Sequence, residues 1–186
     1  MFLLALVVIP AALAGHPSGP YVTRRANLDR DRAGESAVGW LSVDSGHTYS
    51  RWSVTLEDRC RRRPKRLSVS AVWNGTLETL RVPEADGLVG RREVYYVLRV
   101  GQAKGEVAVV QLADRRPCPV PRFLFHYVAP KDVQLVSFSA ELKDFDPRSK
   151  GLELRLEERF VTTNRARLYR YDRRAARYVL YLTTTA

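Results

Sequence analysis

Apolar residues recur mainly at every second position from His47 onward, and this period constrains the fold more than any other feature. Leu152, Leu154 and Leu156, for example, alternate with charged residues. Side chains of a β-strand point alternately to its two faces, so the period is typical of half-buried strands. The same pattern marks the segments 49–57, 67–73, 77–82, 94–100, 106–112, 123–127, 133–142, 167–171 and 178–182.

These segments predict an all-β fold. Strands spaced about ten residues apart and joined by short turns are typical of an antiparallel β-sandwich, here of about eight to ten strands. Because each segment alternates, we expect two sheets that pack on their inner faces and leave their outer faces in water. A helix over 152–160 is the alternative for that segment, since its apolar residues also fit a spacing of four. No internal repeat is evident.

The N-terminal residues indicate entry into the secretory pathway. An apolar run over 2–9 is followed by Pro10 and by Ala12-Leu13-Ala14, a small-x-small pattern that signal peptidase cleaves. We therefore expect a signal peptide at 1–14, an N-terminal arm or edge strand at 15–48, and the β-sandwich domain at 49–186. A buried N-terminal strand is the alternative for the apolar run. We expect a protein that is secreted or lies in the ER lumen and has no transmembrane segment, because a membrane-spanning helix needs roughly 20 apolar residues.

Cys60 and Cys118 are the two cysteines of the chain. In an oxidising compartment, an even pair predicts one disulfide bond. The bond would enclose 57 residues. Chain-entropy arithmetic gives such a crosslink about 4 kcal/mol of stability. Two unpaired buried thiols and pairing between two chains are the alternatives.

The segment 59–66 carries six basic residues in eight positions. We expect it to be a loop between strands, because Pro64 discourages a helix and an interior strand. Sulfate groups accept the paired N–H donors of guanidinium, so the cluster predicts attachment to sulfated glycosaminoglycans. The predicted binding residues are Arg59, Arg61, Arg62, Arg63, Lys65 and Arg66. Cleavage after Arg66 by a furin-like convertase and a solvated loop without a specific role are the alternatives.

Asn74-Gly75-Thr76 carries two signals. Asn-Gly between alternating runs predicts a type I′ hairpin turn, and Asn-x-Thr predicts N-glycosylation of Asn74. The two predictions agree, because a hairpin tip is exposed.

The net charge of +11 predicts attraction to anionic surfaces. Besides the segment 59–66, a second basic group interleaves with tyrosines in a predicted C-terminal hairpin. Such a pattern also occurs where proteins bind nucleic acid. Outside the cytosol we expect no nucleic-acid partner, and we place these arginines on the water-facing side of the sheet. They are Arg165, Arg167, Arg170, Arg173, Arg174 and Arg177.

Sequence motifs for catalysis or metal binding are absent. His126 lies in an apolar aromatic segment, where a packed imidazole is expected. Asp144 and Asp146 indicate a turn, since a calcium site needs about six to eight oxygen ligands. We therefore expect a non-enzymatic protein without catalytic residues, metal or cofactor. A lumenal hydrolase is the less favoured alternative.

A strand that ends in Glu57-Asp58-Arg59-Cys60, followed by the alternating segment 67–73, resembles the secreted immune-evasion β-sandwiches of poxviruses. That family includes chemokine- and cytokine-binding proteins and small lumenal virulence factors. The resemblance covers 49–128 and rests on pattern and size. It implies a viral immunomodulator that binds an extracellular host protein. Chemokine binders present acidic surfaces and this chain is basic, so the implied ligand is not a chemokine. A structural or envelope glycoprotein subunit that requires a partner chain is the alternative.

Overall fold

The computed structural model of the protein describes residues 18–28, 35–43, 50–60, 63–88, 91–113, 118–131 and 134–186. The predicted signal peptide lies outside these ranges. The described residues form thirteen β-strands and no helix, which confirms the all-β class and makes the alternative of a helix over 152–160 wrong. Every strand pairing in them is antiparallel. It follows that no helix in this part of the chain could cross a membrane.

The strands are β1 (Ser18–Ala26), β2 (Glu35–Val43), β3 (Ser50–Cys60), β4 (Arg63–Ser68), β5 (Trp73–Asn74), β6 (Thr76–Arg81), β7 (Val94–Val100), β8 (Lys104–Ala113), β9 (Val120–Val128), β10 (Leu135–Lys143), β11 (Glu153–Phe160), β12 (Asn164–Asp172) and β13 (Arg177–Thr185).

Three sheets of the same topology follow one another along the chain. The first sheet has the order β1-β2-β3-β4, and β5 also pairs with β3. The middle sheet has the order β6-β7-β8-β9, and the third has the order β10-β11-β12-β13. Each sheet thus contains a four-stranded meander, and the first sheet has β5 as a fifth strand. Two of the thirteen strands, β1 and β2, lie in the segment 15–48, and β2 pairs with β3 from Ser36↔Glu57 to Val43↔Ser50.

The middle sheet is covered on both faces. Tyr96 and Leu98 of β7 belong to a core with Trp52, Val54 and other residues of the first sheet. The alternate residues of the same strand, Tyr95 and Val97, belong to a second core with residues of the third sheet such as Phe138 and Leu154. The expectation of one wet face for every strand is therefore wrong for β7 and β8, because a sheet packs on each of their faces.

The predicted hairpin at Asn74-Gly75 is wrong. β5 pairs with β3 of the first sheet, whereas β6 pairs with β7 of the middle sheet, so the chain crosses between layers at Gly75. A Cβ atom at Gly75 would lie 1.9 Å from the carbonyl oxygen of Arg99. Glycine is required here because two backbones approach closely, and not because a tight turn needs its freedom.

The basic segment 59–66 is not a loop over most of its length. Arg63 and Lys65 lie on β4, which pairs with β3 from Cys60↔Arg63 to Thr55↔Ser68. Pro64 is compatible with this strand because β4 is at the edge of the sheet, where a missing N–H costs no pairing. Proline therefore did exclude an interior strand, as expected, but it did not exclude an edge strand.

Candidate functional site at the clamped end of the sheets

One end of the stacked sheets is formed by the connections that follow the first strand of each meander. The N–H of Arg92 donates to the carbonyl of Asn27 at 3.0 Å, which links the first connection to the middle one. The N–H of Leu152 donates to the carbonyl of Ala85 at 2.9 Å, which links the middle connection to the third. The β12–β13 turn lies at the same end, since Arg122 at the beginning of β9 donates to the carbonyl of Ala176 at 2.9 Å. We call this the clamped end.

A buried glutamate fixes each of the three connections from the first strand to the second. Glu35 accepts the N–H of Leu28 at 2.7 Å. Glu93 accepts the N–H groups of Ala85 at 2.7 Å and Asp86 at 3.3 Å. Glu35, Glu93 and Glu153, which holds the third connection, are all fully buried. Each lies at or next to the beginning of the second strand of its meander. We call these three residues the clamp glutamates.

The hydrogen bonds of Glu153 to the third connection repeat those of Glu93 to the middle connection. We call each glutamate with its loop a clamp, numbered in chain order. Glu153 accepts the N–H groups of Phe145 at 2.9 Å and Asp146 at 3.3 Å, and the Ser149 hydroxyl also donates to it. A carboxylate that accepts several backbone N–H groups holds a loop firmly, because charged acceptors make the stronger hydrogen bonds. The middle and third connections are therefore each held by a glutamate that belongs to the strand that follows or lies next to it.

An aspartate and an arginine complete the second and third clamps in the same way. Arg91 Nη2 donates to Asp86 at 2.6 Å, and its Nε lies 3.5 Å from Glu93 Oε1. Arg170 Nη2 donates to Asp146 at 2.9 Å, and its Nε lies 3.5 Å from Glu153 Oε1. Asp146 also accepts the N–H of Arg148 at 3.1 Å, which bears out the expected turn at this aspartate.

The repeated clamp corrects the expectation of no internal repeat. An apolar residue, an aspartate, and a glutamate six or seven positions later occur three times: Leu28-Asp29 with Glu35, Ala85-Asp86 with Glu93, and Phe145-Asp146 with Glu153. Asp29 itself lies outside the described residues. The spacing of about 60 residues between units was the signal in the sequence. It was missed because little besides these three positions is shared.

Glu93 is the electrostatically strained member of the set. Burial, together with the carboxylate of Asp86, raises the pKa of Glu93 to about 7, against the pull of two backbone N–H groups and of Arg91. A buried carboxylate with a raised pKa gains its proton near neutral pH. The charge of the middle clamp therefore depends on pH in the physiological range.

Glycine allows the middle and third connections to touch. Gly151 has φ +105°, and a Cβ atom there would lie 2.8 Å from the carbonyl oxygen of Ala85. The hydroxyl of Tyr178 lies 2.9 Å from the carbonyl oxygen of Leu152 and 3.1 Å from that of Ala85. Tyr178 of β13 is thus hydrogen-bonded to both the middle and the third connection.

Basic side chains surround the clamped end. Seven of them are exposed and have no ion-pair partner among the residues that the structure describes. We call them the cationic rim: Arg63 and Lys65 on the first sheet, and Arg148, Lys150, Arg173, Arg174 and Arg177 on the third. Most acidic groups nearby are already engaged, since Asp86 and Glu93 are buried and Asp146 pairs with Arg170.

The opposite end of the sheets has little charge in its connections. Within the described ranges, the connections 69–72, 101–103, 129–131 and 161–163 contain one charged residue, Lys131. At the clamped end, the connections 82–88, 91–93, 144–152 and 173–176 contain six basic and five acidic residues. Charged residues of both signs are therefore concentrated at the clamped end, where Asp86 and Glu93 are buried and the rim cations are exposed.

Of the six predicted glycosaminoglycan-binding residues, three have described side chains, and these lie on both faces of β4. Arg63 and Lys65 point to the face of β4 that also carries Leu67, whereas Arg66 points to the other face. Arg66 is already engaged there, because it donates to Glu57 at 3.1 Å and its guanidinium lies 3.9 Å above the Trp40 ring. The side chain of Arg59 and the whole of Arg61 and Arg62 lie outside the described residues.

The remaining predicted sites are placed as follows. Asn74 is exposed at the end of β5. Cys60 ends β3 and Cys118 lies shortly before β9, both at the clamped end, but the side chain of Cys60 lies outside the described residues, so the disulfide stays a prediction. No free cysteine is found among the described residues.

His126 does not have the packed environment that was expected. Its imidazole is exposed, stacks on Phe123 with 4.6 Å between ring centroids, and has Nε2 3.0 Å from the buried Glu106. Glu106 also accepts the indole N–H of Trp73 at 2.8 Å and the hydroxyl of Tyr96 at 2.6 Å. Since Trp73 belongs to the first sheet, this network joins the first and middle sheets.

The arginines of the C-terminal hairpin do not all lie on its water-facing side. Arg165 and Arg167 donate to the buried Glu158 at 2.8 and 2.7 Å, and the Tyr127 hydroxyl donates to the same carboxylate at 2.9 Å. Burial alone would raise the pKa of Glu158, but these hydrogen bonds outweigh it and hold the pKa below its usual range. The expected placement holds for Arg173, Arg174 and Arg177, which are exposed.

The described residues contain no group of three or more His, Cys, Asp or Glu side chains that could hold a metal ion. No known family model, characterised protein or solved structure shows significant similarity to the chain.

Proposed function

We propose that the protein is a secreted, non-enzymatic binding protein that attaches to sulfated glycosaminoglycans through its cationic rim and captures an extracellular host protein. The observation that supports attachment most is the separation of charges. Seven carboxylates are buried, namely Glu35, Asp58, Asp86, Glu93, Glu106, Glu153 and Glu158, whereas no Arg or Lys among the described residues is buried. The exposed surface is therefore even richer in cations than the composition indicates.

The arrangement of the rim favours a polymeric anion. Packed sheets lie about 10 Å apart, so the rim residues of the first and third sheets are separated by about 20 Å. A small anion would contact one group of rim residues, but a sulfated chain can contact both. Guanidinium groups offer paired donors to sulfate oxygens, and five of the seven rim residues are arginines.

The clamps support a role in binding because they give the loops a fixed shape. Binding residues on loops that a rigid scaffold positions lose little conformational entropy when a ligand binds. The clamp carboxylates accept backbone N–H groups of their own loops, so their chemistry is already used for structure. This favours recognition over catalysis at the clamped end.

We also propose that the three layers form a sandwich that the predicted disulfide staples. Cys60 and Cys118 lie at the same end of adjacent sheets, so a bond between them would join the first sheet to the middle sheet beside the rim. Such a bond would hold Arg63 and Lys65 in place relative to the rest of the chain.

Heparin-affinity chromatography of matched variants tests glycan attachment. The triple variant Arg148→Gln, Arg173→Gln, Arg174→Gln removes three rim charges, and the control Lys104→Gln, Lys131→Gln, Arg159→Gln removes three exposed charges elsewhere. Both lose the same net charge. We expect the rim variant to elute at clearly lower salt than the control, because contacts with a polyanion release counterions in proportion to their number. Equal elution of the two variants would show that net charge alone is responsible.

A further inference from the structure

The described strands leave six sheet edges: β1, β4 with β5, β6, β9, β10 and β13. Unpaired N–H and C=O groups at an edge can pair with another chain, and proteins prevent this with prolines, charges and bulges. β1, β4 and β9 contain Pro20, Pro64 and Pro121. β6 and β10 carry two charged residues each over their length.

β13 lacks these protective residues. After Arg177 its sequence is Tyr-Val-Leu-Tyr-Leu-Thr-Thr-Thr, without charge, Pro or Gly, in a chain of which 27% is charged. Leu180, Tyr181 and Leu182 are 53%, 59% and 51% exposed. A bulge at Tyr181 is its one protective feature, and four of the other edge strands have bulges as well as their prolines or charges.

We propose that β13 pairs antiparallel with β13 of a second copy of the chain, about a two-fold axis. The pairing would join two third sheets into one sheet of eight strands. The inference is independent of the proposed attachment to glycans, since it concerns the uncharged residues 178–185 of β13, which are not part of the cationic rim.

Charge limits where two copies can meet and sets the direction of the pairing. Two chains of net charge +11 repel each other, so two copies can associate only where both surfaces are neutral, and residues 178–185 of β13 offer a neutral stretch to the same stretch of a second copy. In an antiparallel pair, the Arg177 end of one strand meets the Thr185 end of the other. The two cationic rims are then separated by about the length of the strand, roughly 30 Å for nine residues, which exceeds the screening distance of about 8 Å.

A two-fold pair also fits the self-complementary character of the strand. An interface about a two-fold axis uses the same patch on both chains, and antiparallel strands satisfy this with any uncharged sequence. Leu182 and its neighbours would then contact the same apolar residues of the partner. The dimer would carry two rims on one particle, and simultaneous attachment of both to one glycan surface would increase the overall affinity.

We expect a weak dimer. A single strand pair buries less than the roughly 1,200 Å² that marks the lower limit of stable interfaces, so the dissociation constant should be in the micromolar range, roughly 1–100 μM. The full chain is therefore studied by sedimentation over a range of concentrations, at a salt concentration that screens the net charge. Dimer formation should double the apparent mass as the concentration rises.

Two single variants and hydrogen exchange test whether β13 forms the dimer contact. Leu182→Lys places like charges across the two-fold axis and should weaken the dimer at least tenfold, whereas the control Val161→Lys adds the same charge at an exposed turn of the same sheet and should leave it intact. If Leu182→Lys does not fold, hydrogen exchange of the wild-type chain is measured at several protein concentrations as the alternative test. The backbone amides of residues 178–185 should then become more protected as the concentration rises. A monomer at every concentration, equal dimerisation of the two variants, or concentration-dependent protection elsewhere but not over 178–185 would overturn the proposal.

Discussion

Replacement of Glu153 by alanine tests whether the clamp glutamates hold the loops. The side chain is fully buried and accepts two backbone N–H groups and one hydroxyl. Its removal leaves the N–H groups of Phe145 and Asp146 without their acceptor. A buried donor without a partner costs about 1–3 kcal/mol, so the two together should lower the free energy of unfolding by about 3–4 kcal/mol after partial relaxation. That is a large part of the 5–15 kcal/mol that is typical of a domain.

Urea unfolding followed by tryptophan fluorescence measures this loss. With an m value of about 2–3 kcal/mol/M for a chain of this size, the midpoint should fall by about 1.5 M. The control is Glu157→Ala, which removes a half-buried glutamate, with its side chain 47% exposed, from the same strand and should change stability by no more than about 0.5 kcal/mol. The reasoning is refuted if Glu153→Ala costs less than about 1 kcal/mol, or no more than the control does.

Three further outcomes are expected. Because the pKa of Glu93 is about 7 in the folded chain and 4.5 in its ordinary state, its contribution to stability is complete below pH 4.5 and is lost as the pH rises through 7. Glu93→Gln should therefore gain stability relative to wild type between pH 5 and pH 8, by up to about 3 kcal/mol, and a constant difference in urea melts would contradict the raised pKa. Cys60→Ser should lower the free energy of unfolding by about 4 kcal/mol and expose one thiol at Cys118, whereas two reactive thiols in the wild-type chain would exclude the disulfide. Expression in a eukaryotic secretory host should add a glycan that Asn74→Gln removes, and an unchanged mass would refute glycosylation at this site.

Much of the fold follows from the period of apolar residues. The alternation around Leu154 and Leu156 identifies β11 with its two faces, and it is the same signal that distinguishes a strand from a helix. The number of layers does not follow from it. The segment 94–100 reads as a strand, but whether its second face meets water or another sheet depends on the rest of the chain. A nearly continuous apolar run such as Val94 to Leu98 was the available indication of a doubly covered strand.

The clamped end was harder to predict. A single glutamate such as Glu153, at the start of an alternating strand, has the pattern of a surface residue, and its burial depends on a loop that folds back over it. Asn74-Gly75 failed for a related reason, since a local turn signal gives way where the chain must cross between sheets. Local patterns describe the strand, and the contacts between sheets decide which polar residues are buried.

The central claim is that β6–β9 form a middle sheet with a packed sheet on each face, since this stacking brings the three clamped loops and the cationic rim to one end. Exchange rates of single backbone amides test it most directly. Amides of β7 and β8 should be the slowest in the molecule and exchange only through global unfolding, whereas those of the edge strands β1 and β4 should exchange much faster. If β7 or β8 exchanges as fast as these edge strands, the stacked arrangement is wrong, and the proposed rim is wrong with it.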